Sequence, residues 1–171
     1  VASATWYYPN TERGSEIIMG QVRWPYWSKG TYYALWNSRT FPEGAPFYGG
    51  VAPYGPGKDG TEEAQSSYRP QLVWSFWGGK DYGGKPVRPI FTGEPFGGGS
   101  MSGEGATAGM VGYFPYLRHD AWMRMLMRGW SSLDEPDEKG YLGWWVQDME
   151  RDQWHCVGVL EMPCKVTGLT G

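Results

Sequence analysis

Glycine and proline interrupt this chain so often that a long helix has nowhere to form. Twenty-seven Gly and 13 Pro are spread through 171 residues. In a helix interior each Gly costs about 1 kcal/mol and each Pro about 3 kcal/mol relative to Ala, because one loosens the backbone and the other removes an amide donor. Between the interruptions lie short aromatic or β-branched runs with a two-residue period, the pattern of strands with one buried face. Residues 3–8 (SATWYY) and 17–24 (IIMGQVRW) are two such runs. In 30–37 (GTYYALWN), Tyr32, Ala34 and Trp36 alternate with Tyr33, Leu35 and Asn37, so each set is expected to take one face. Strand character persists around 47–52 within a Gly/Pro-rich stretch, and 57–67 reads as an exposed polar loop. Residues 70–77 (PQLVWSFW) are the strongest central strand, with Leu72, Trp74 and Phe76 on one side.

Further runs fall at 87–92, 106–117, 140–149 and 153–162, the first weakened by Pro89. A short polar link makes 140–149 and 153–162 antiparallel neighbours. Residues 120–130 (DAWMRMLMRGW) fit two periods: a strand face of Met123, Met125 and Met127, or a helical stripe of Met123, Leu126, Met127 and Trp130. The unbroken alternation favours the strand. Eight to ten strands without βα alternation predict an all-β fold, a two-sheet antiparallel β-sandwich of jelly-roll or lectin-like type, with 1–171 as a single domain. No repeat of constant period points to a propeller or solenoid.

Composition limits the partners. A net charge of −3 and a pI near 5.4 give no electrostatic reason to bind nucleic acid or an anionic membrane. No apolar run approaches the ~18 residues of a transmembrane helix. The start, Val1-Ala2-Ser3-Ala4-Thr5, has neither an initiating Met nor a basic-then-apolar leader and reads as a processed or excised terminus. Cys156 and Cys164 stand eight positions apart, and a disulfide between them across a tight strand pair fits a secreted protein; two reduced, buried thiols are the alternative.

The residues offer little for catalysis. Glu94, Glu104, Asp120, Asp148 and Glu161 are the acid/base candidates, with Asp148 and Glu161 on the two C-terminal strands, but no strand carries alternating carboxylates. His119 and His155 are the only histidines, and His155 and Cys156 would face opposite ways on a strand, which argues against zinc. No Gly-x-Ser-x-Gly elbow precedes either histidine, and the Gly-rich blocks lack a phosphate-loop pattern. No cofactor is implied beyond a structural calcium ion, for which the acidic turns 58–63 and 134–138 supply oxygen ligands without EF-hand spacing.

The positive signal is aromatic: 11 Trp and 12 Tyr exceed what one small core absorbs. A sugar ring presents one face of C–H groups and polar edges, so an indole beside an amide or carboxylate can bind it with modest desolvation. The turn-prone Trp24-Pro25-Tyr26-Trp27, Trp36 beside Asn37, and Trp77 beside a Gly-Gly turn are the candidate ligand-binding residues. Trp144 and Trp145 are consecutive, so one of them must point away from a two-layered core.

Taken together, RPQLVWSFWG (69–78), FGGGSMSGEGATAG (96–109), YFPYLRHDAWMRMLMRGW (113–130) and GWWVQDMERDQWHCVGVLEMP (143–163) resemble an uncharacterised family of Trp-rich β-domains found mainly in secreted bacterial proteins. The likeness spans about residues 20–163 of the sequence. It departs at Val51-Ala52, where the family continues with a Gly-Gln type of segment, and the family usually adds a strand and an acidic residue after the point corresponding to Gly171. The resemblance implies a loose connection to carbohydrate-binding modules and supplies no catalytic residue. The leading expectation is non-catalytic recognition of a carbohydrate or glycoconjugate by a secreted protein. A structural homo-oligomer glued by surplus indoles and the methionine row, and a glycan-cleaving enzyme, are the alternatives.

Overall fold

Alternating side chains give each strand an apolar and a mixed face, and pairing two such sheets through their apolar faces removes the most hydrocarbon from water. The computed structural model describes residues 14–28, 31–41, 46–54, 69–76, 85–94, 97–99 and 108–170, and it has this two-sheet arrangement. The strands are β1 (Ile17–Arg23), β2 (Tyr33–Phe41), β3 (Pro46–Tyr54), β4 (Arg69–Phe76), β5 (Arg88–Thr92) and β6 (Gly97–Gly99). They continue with β7 (Ala108–Tyr113), β8 (Trp122–Ser131), β9 (Gly140–Asp148), β10 (Gln153–Met162) and β11 (Gly168–Thr170). One sheet runs β1-β8-β9-β10-β5 and the other β11-β2-β3-β4-β7-β6. Every pairing is antiparallel. The run at 3–8 lies outside the described residues.

The strand reading of 120–130 holds: Met123, Met125 and Met127 all point into the core from β8. Leu142, Trp144 and Val146 of β9 and Leu160 and Met162 of β10 join them. From the opposite sheet come Trp36, Phe47, Val51, Leu72, Trp74 and Phe76. Gly49 makes room for the largest of these, since Trp36, Trp74 and Trp144 all come within 3.7 Å of where its Cβ would stand. Trp74 and Trp144 meet edge-on across the sheets at 5.9 Å.

The expected alternation fails in β2. Its register with β3 shifts between Ala34 and Trp36, so Ala34 stays exposed while Trp36 turns inward with Ser38 and Thr40. A bulge of this kind reverses the parity of every later residue. β5 shows the effect expected of Pro89: it is a short edge strand whose register against β10 also shifts.

The disulfide expectation is wrong. Cys156 and Cys164 are both thiols. Cys156 sits inside β10, which runs on to Met162 past a register shift against β9 between Cys156 and Gly158. Six extended residues span about 20 Å, and two more cannot return the chain to the ~7 Å limit for a bridge. The spacing was read as two strands facing each other, whereas one strand carries most of it. Burial pushes the Cys156 thiol up, against the pull of the Gly158 backbone amide, and so keeps it protonated.

The flanks are closed by contacts between the sheets. Ser15 and Leu169 exchange backbone hydrogen bonds of 2.8 and 2.7 Å, joining the start of β1 to β11. At the other flank β5 packs against β6 and β7 of the opposite sheet, while the Gly93 amide extends the β5–β10 pairing by donating to the Val157 carbonyl at 3.0 Å.

A buried carboxylate locks the β9–β10 turn. Asp148 accepts hydrogen bonds from the backbone amides of Glu150 and Arg151 and from the Arg151 guanidinium at 2.6 Å. Burial alone would push the Asp148 carboxyl up, but the Arg151 guanidinium and the two amides outweigh it and hold Asp148 below the usual carboxylate range. A lowered folded value means that this stabilisation is complete above the ordinary value of 3.8 and is lost as pH falls through the lower folded one. Asp148→Asn is expected to cost about 1–3 kcal/mol at neutral pH. It should also flatten the acid limb of a urea-midpoint profile below about pH 4. An unchanged acid limb would show that Asp148 contributes no such linkage.

Candidate binding face

Register, more than sequence proximity, assembles the outer face of the five-stranded sheet. Pairing places Gln21, Arg124, Gln147 and Trp154 in one cross-strand row and Met19, Leu126, Trp145 and Cys156 in the next. A third row holds Ile17, Arg128, Gly143, Val159 and Phe91, and a fourth holds Trp130, Tyr141, Glu161 and Arg88. Consecutive rows lie about 7 Å apart, two residues of strand.

Gly143 determines how the rings lie. A Cβ built there would overlap the far edge of the Trp145 indole and come within 3.2 Å of Trp130. The outer edge of the Trp145 ring therefore reaches back along its own strand into the space that the missing Gly143 side chain leaves open. Trp130 packs beside it at 6.4 Å with planes 35° apart, and Tyr141 lies 5.6 Å from Trp130 at 38°. The Arg128 guanidinium sits 5.4 Å from the Trp130 ring while Nε donates to Glu16 at 2.9 Å. The three rings are half-buried, as expected when the sheet seals one side of each. They form a surface aromatic cluster separate from the indoles of the core.

Most guanidinium groups around this face are matched by acids. Arg23 pairs with Asp120, Arg128 with Glu16, and Arg88 with Glu161. The Glu161 carboxylate also raises the already high basicity of Arg88 through their hydrogen bond. Arg124 differs: it donates to the amide oxygens of Gln147 at 3.0 Å and Gln21 at 3.4 Å. Gln147 is buried, and its amide nitrogen donates to Asp152 at 2.6 Å, which aims its oxygen at Arg124. Asp152 reaches that position from the turn with a left-handed φ of 52°.

The residues expected from sequence to form the platform fare differently. Trp27 and Trp36 are only 1% and 2% exposed, so both are core residues that no flat ligand can reach. Trp27 is packed by Trp24 at 5.3 Å and Tyr33 at 5.7 Å, closing one end of the sandwich. The turn buries a large ring after all, because neighbouring aromatics cover it. Trp24 is half-buried in the same cluster, and Tyr26 alone of the three stands out, at 55% exposure. Asn37 is exposed on β2, in register with Tyr48 of β3, away from Trp36. Trp77 lies outside the described residues. These positions do not make one surface.

The paired indoles at 144 and 145 do divide between the two faces, with Trp144 in the core and Trp145 on the platform. Trp130, Tyr141 and Arg124 were missed. The available signal was Gly143 two residues before Trp145, leaving space on the same face for a large ring.

The calcium expectation is corrected. Among the described residues no group of three His, Cys, Asp or Glu side chains comes together to hold a metal ion. In the 134–138 turn, Glu135 is instead tied to Lys139 and Asp137 to Lys165. The 58–63 turn lies outside the described residues. The acid/base candidates are also scattered. Asp148 points into the turn opposite Gln153, whereas Glu161 lies in register with Tyr141 at the far end of the hairpin. That separation, about 20 Å along the strands, is well beyond the ~5–10 Å between glycosidase carboxylates. Glu94 is exposed after β5, Asp120 is paired with Arg23, and Glu104 lies outside the described residues.

Among the described residues no helix is long and apolar enough to cross a membrane. No protein-family model matches the chain, and no curated protein matches it either.

Proposed function

We propose that the protein binds a glycan chain without cleaving it, on the outer face of the five-stranded sheet, with Trp145, Trp130 and Tyr141 as the stacking floor. The observation that carries this reading is the outer edge of the Trp145 indole held at Gly143. Rings fixed against a sheet lose little conformational freedom on binding, so more of the stacking energy appears as affinity. The matched ion pairs around them, with the exposed Gln21, supply polar partners for hydroxyl groups at the rim. On this reading the sandwich is used in a lectin-like way, by a protein that works where polysaccharide is met, outside the cell.

Trp145→Ala is expected to weaken binding at least tenfold in affinity electrophoresis through gels containing soluble polysaccharides, as removal of a central aromatic anchor does. Tyr26→Ala, in the turn before β2, is expected to change nothing. Equal retardation of Trp145→Ala and the unmodified protein would sink the proposal.

A second reading is favoured by Ile17 and Met19, which are 50% and 53% exposed on β1 beside the platform. Met and aromatic residues are enriched at interfaces between subunits, so the same face could join two copies. Sedimentation showing a dimer that Met19→Glu dissociates, together with no retardation by any polysaccharide, would select this reading over glycan binding.

A further inference from the structure

We infer that the glycan bound on this face carries an anionic group, a carboxylate or sulfate ester, and that Arg124 receives it. The inference deepens the glycan reading above and rests on it. Arg124 lies toward the β9–β10 turn end of the face, flanked in its row by Gln21 on β1 and Gln147 on β9. Among the described residues no carboxylate pairs with it, although Arg23, Arg88 and Arg128 around it each have one. Its charge is thus held by neutral acceptors and is not cancelled by contact.

The support behind it is ordered. The buried Gln147 amide is oriented at both ends, its nitrogen toward Asp152 and its oxygen toward Arg124. Gln21 approaches the guanidinium from the other side. A guanidinium fixed in this way keeps other N–H groups for a planar or tetrahedral anion, the geometry its fork matches best. Apolar groups also surround the site: Leu126 follows on the same face of β8, next to Met19 and Trp145. Less water there strengthens a charge-assisted bond.

The spacing connects the two parts. Gly143, at the edge of the Trp145 ring, lies two rows from Arg124, about 13 Å along the strands. An oligosaccharide stacked on the rings and continuing past Leu126 would bring an acidic substituent to the guanidinium. The chain as a whole has a net charge of −3, so the preference comes from contact at Arg124 and not from long-range attraction.

The test uses the full chain on an array carrying neutral, uronate-containing and sulfated glycans, followed by calorimetry. The best-retained acidic chain is titrated against its carboxyl-reduced or desulfated counterpart, which also separates carboxylate from sulfate. The neutralised chain is expected to bind at least tenfold more weakly, and added salt should reduce the difference. Arg124→Gln is expected to abolish the preference while leaving the thermal midpoint unchanged; Arg124→Lys should restore part of it. Trp145→Ala should weaken both ligands alike. Equal binding of acidic and neutral chains, or an intact preference in Arg124→Gln, overturns the inference while the aromatic platform stands. If no glycan of any kind binds, the platform reading fails and this inference fails with it.

Discussion

Trp144→Ala is expected to destabilise the protein by about 3–5 kcal/mol, whereas Trp145→Ala, one residue further on, is expected to cost about 1 kcal/mol or less. The two side chains share a strand and a residue type and differ in the face they occupy. Trp144 is fully buried, edge-on to Trp74 and close to Gly49, so truncation opens a cavity between the sheets that rigid neighbours cannot refill. Against a typical stability of about 5–15 kcal/mol, the loss would leave the folded state marginal. The indole nitrogen of Trp144 has no hydrogen-bond partner among the described residues, so its contribution is volume and contact area. Trp144→Phe should accordingly recover most of the stability. Urea midpoints of the three variants measure this contrast; equal losses at 144 and 145 would mean that the facing of β9 is wrong.

Gly143→Val is expected to reduce glycan binding by tenfold or more while shifting stability by only about 1 kcal/mol. The substituent overlaps the outer edge of the Trp145 ring, the free end of a side chain that can swing away. The sheet should survive, but the ring would lift and its position at Gly143 would be lost. Because both variants remove the same feature, Gly143→Val combined with Trp145→Ala should bind no more weakly than Trp145→Ala alone. Additive losses would show that the ring acts independently of its seat. An intact thermal transition with weakened binding distinguishes this outcome from misfolding.

The strands at 70–77, 120–130, 140–149 and 153–162 are legible in sequence; the unbroken alternation of 120–130 puts Met123, Met125 and Met127 on one face, which β8 turns inward, and Trp144 and Trp145 divide between the faces of β9. Reading fails where parity changes: the shift before Trp36 reverses the second half of β2, and nothing in 30–37 marks it. Trp27 was misplaced because a turn was treated as open surface, whereas Trp24 and Tyr33 cover its ring. The cysteine pairing failed because the strand read at 153–162 was not followed out in length: it carries the chain about 20 Å away from Cys156 before Cys164 is reached. The binding face itself depends on register between distant segments. Gln21 and Arg124 are 103 positions apart, and their meeting follows from how β1 docks on β8, which local periodicity does not encode.

The flanks of the sandwich also restrict how anything can attach. β1 is pinned to β11 at Ser15 and Leu169, and β5, interrupted by Pro89, packs on β6 and β7. Among the described residues the longest edge left for a further strand is β1 from Ile17 to Arg23, which pairs on one side with β8. On the proposed reading a polymer lies broadside on the sheet's outer face and leaves that edge alone, so several copies carried on one polymer would sit like separate beads.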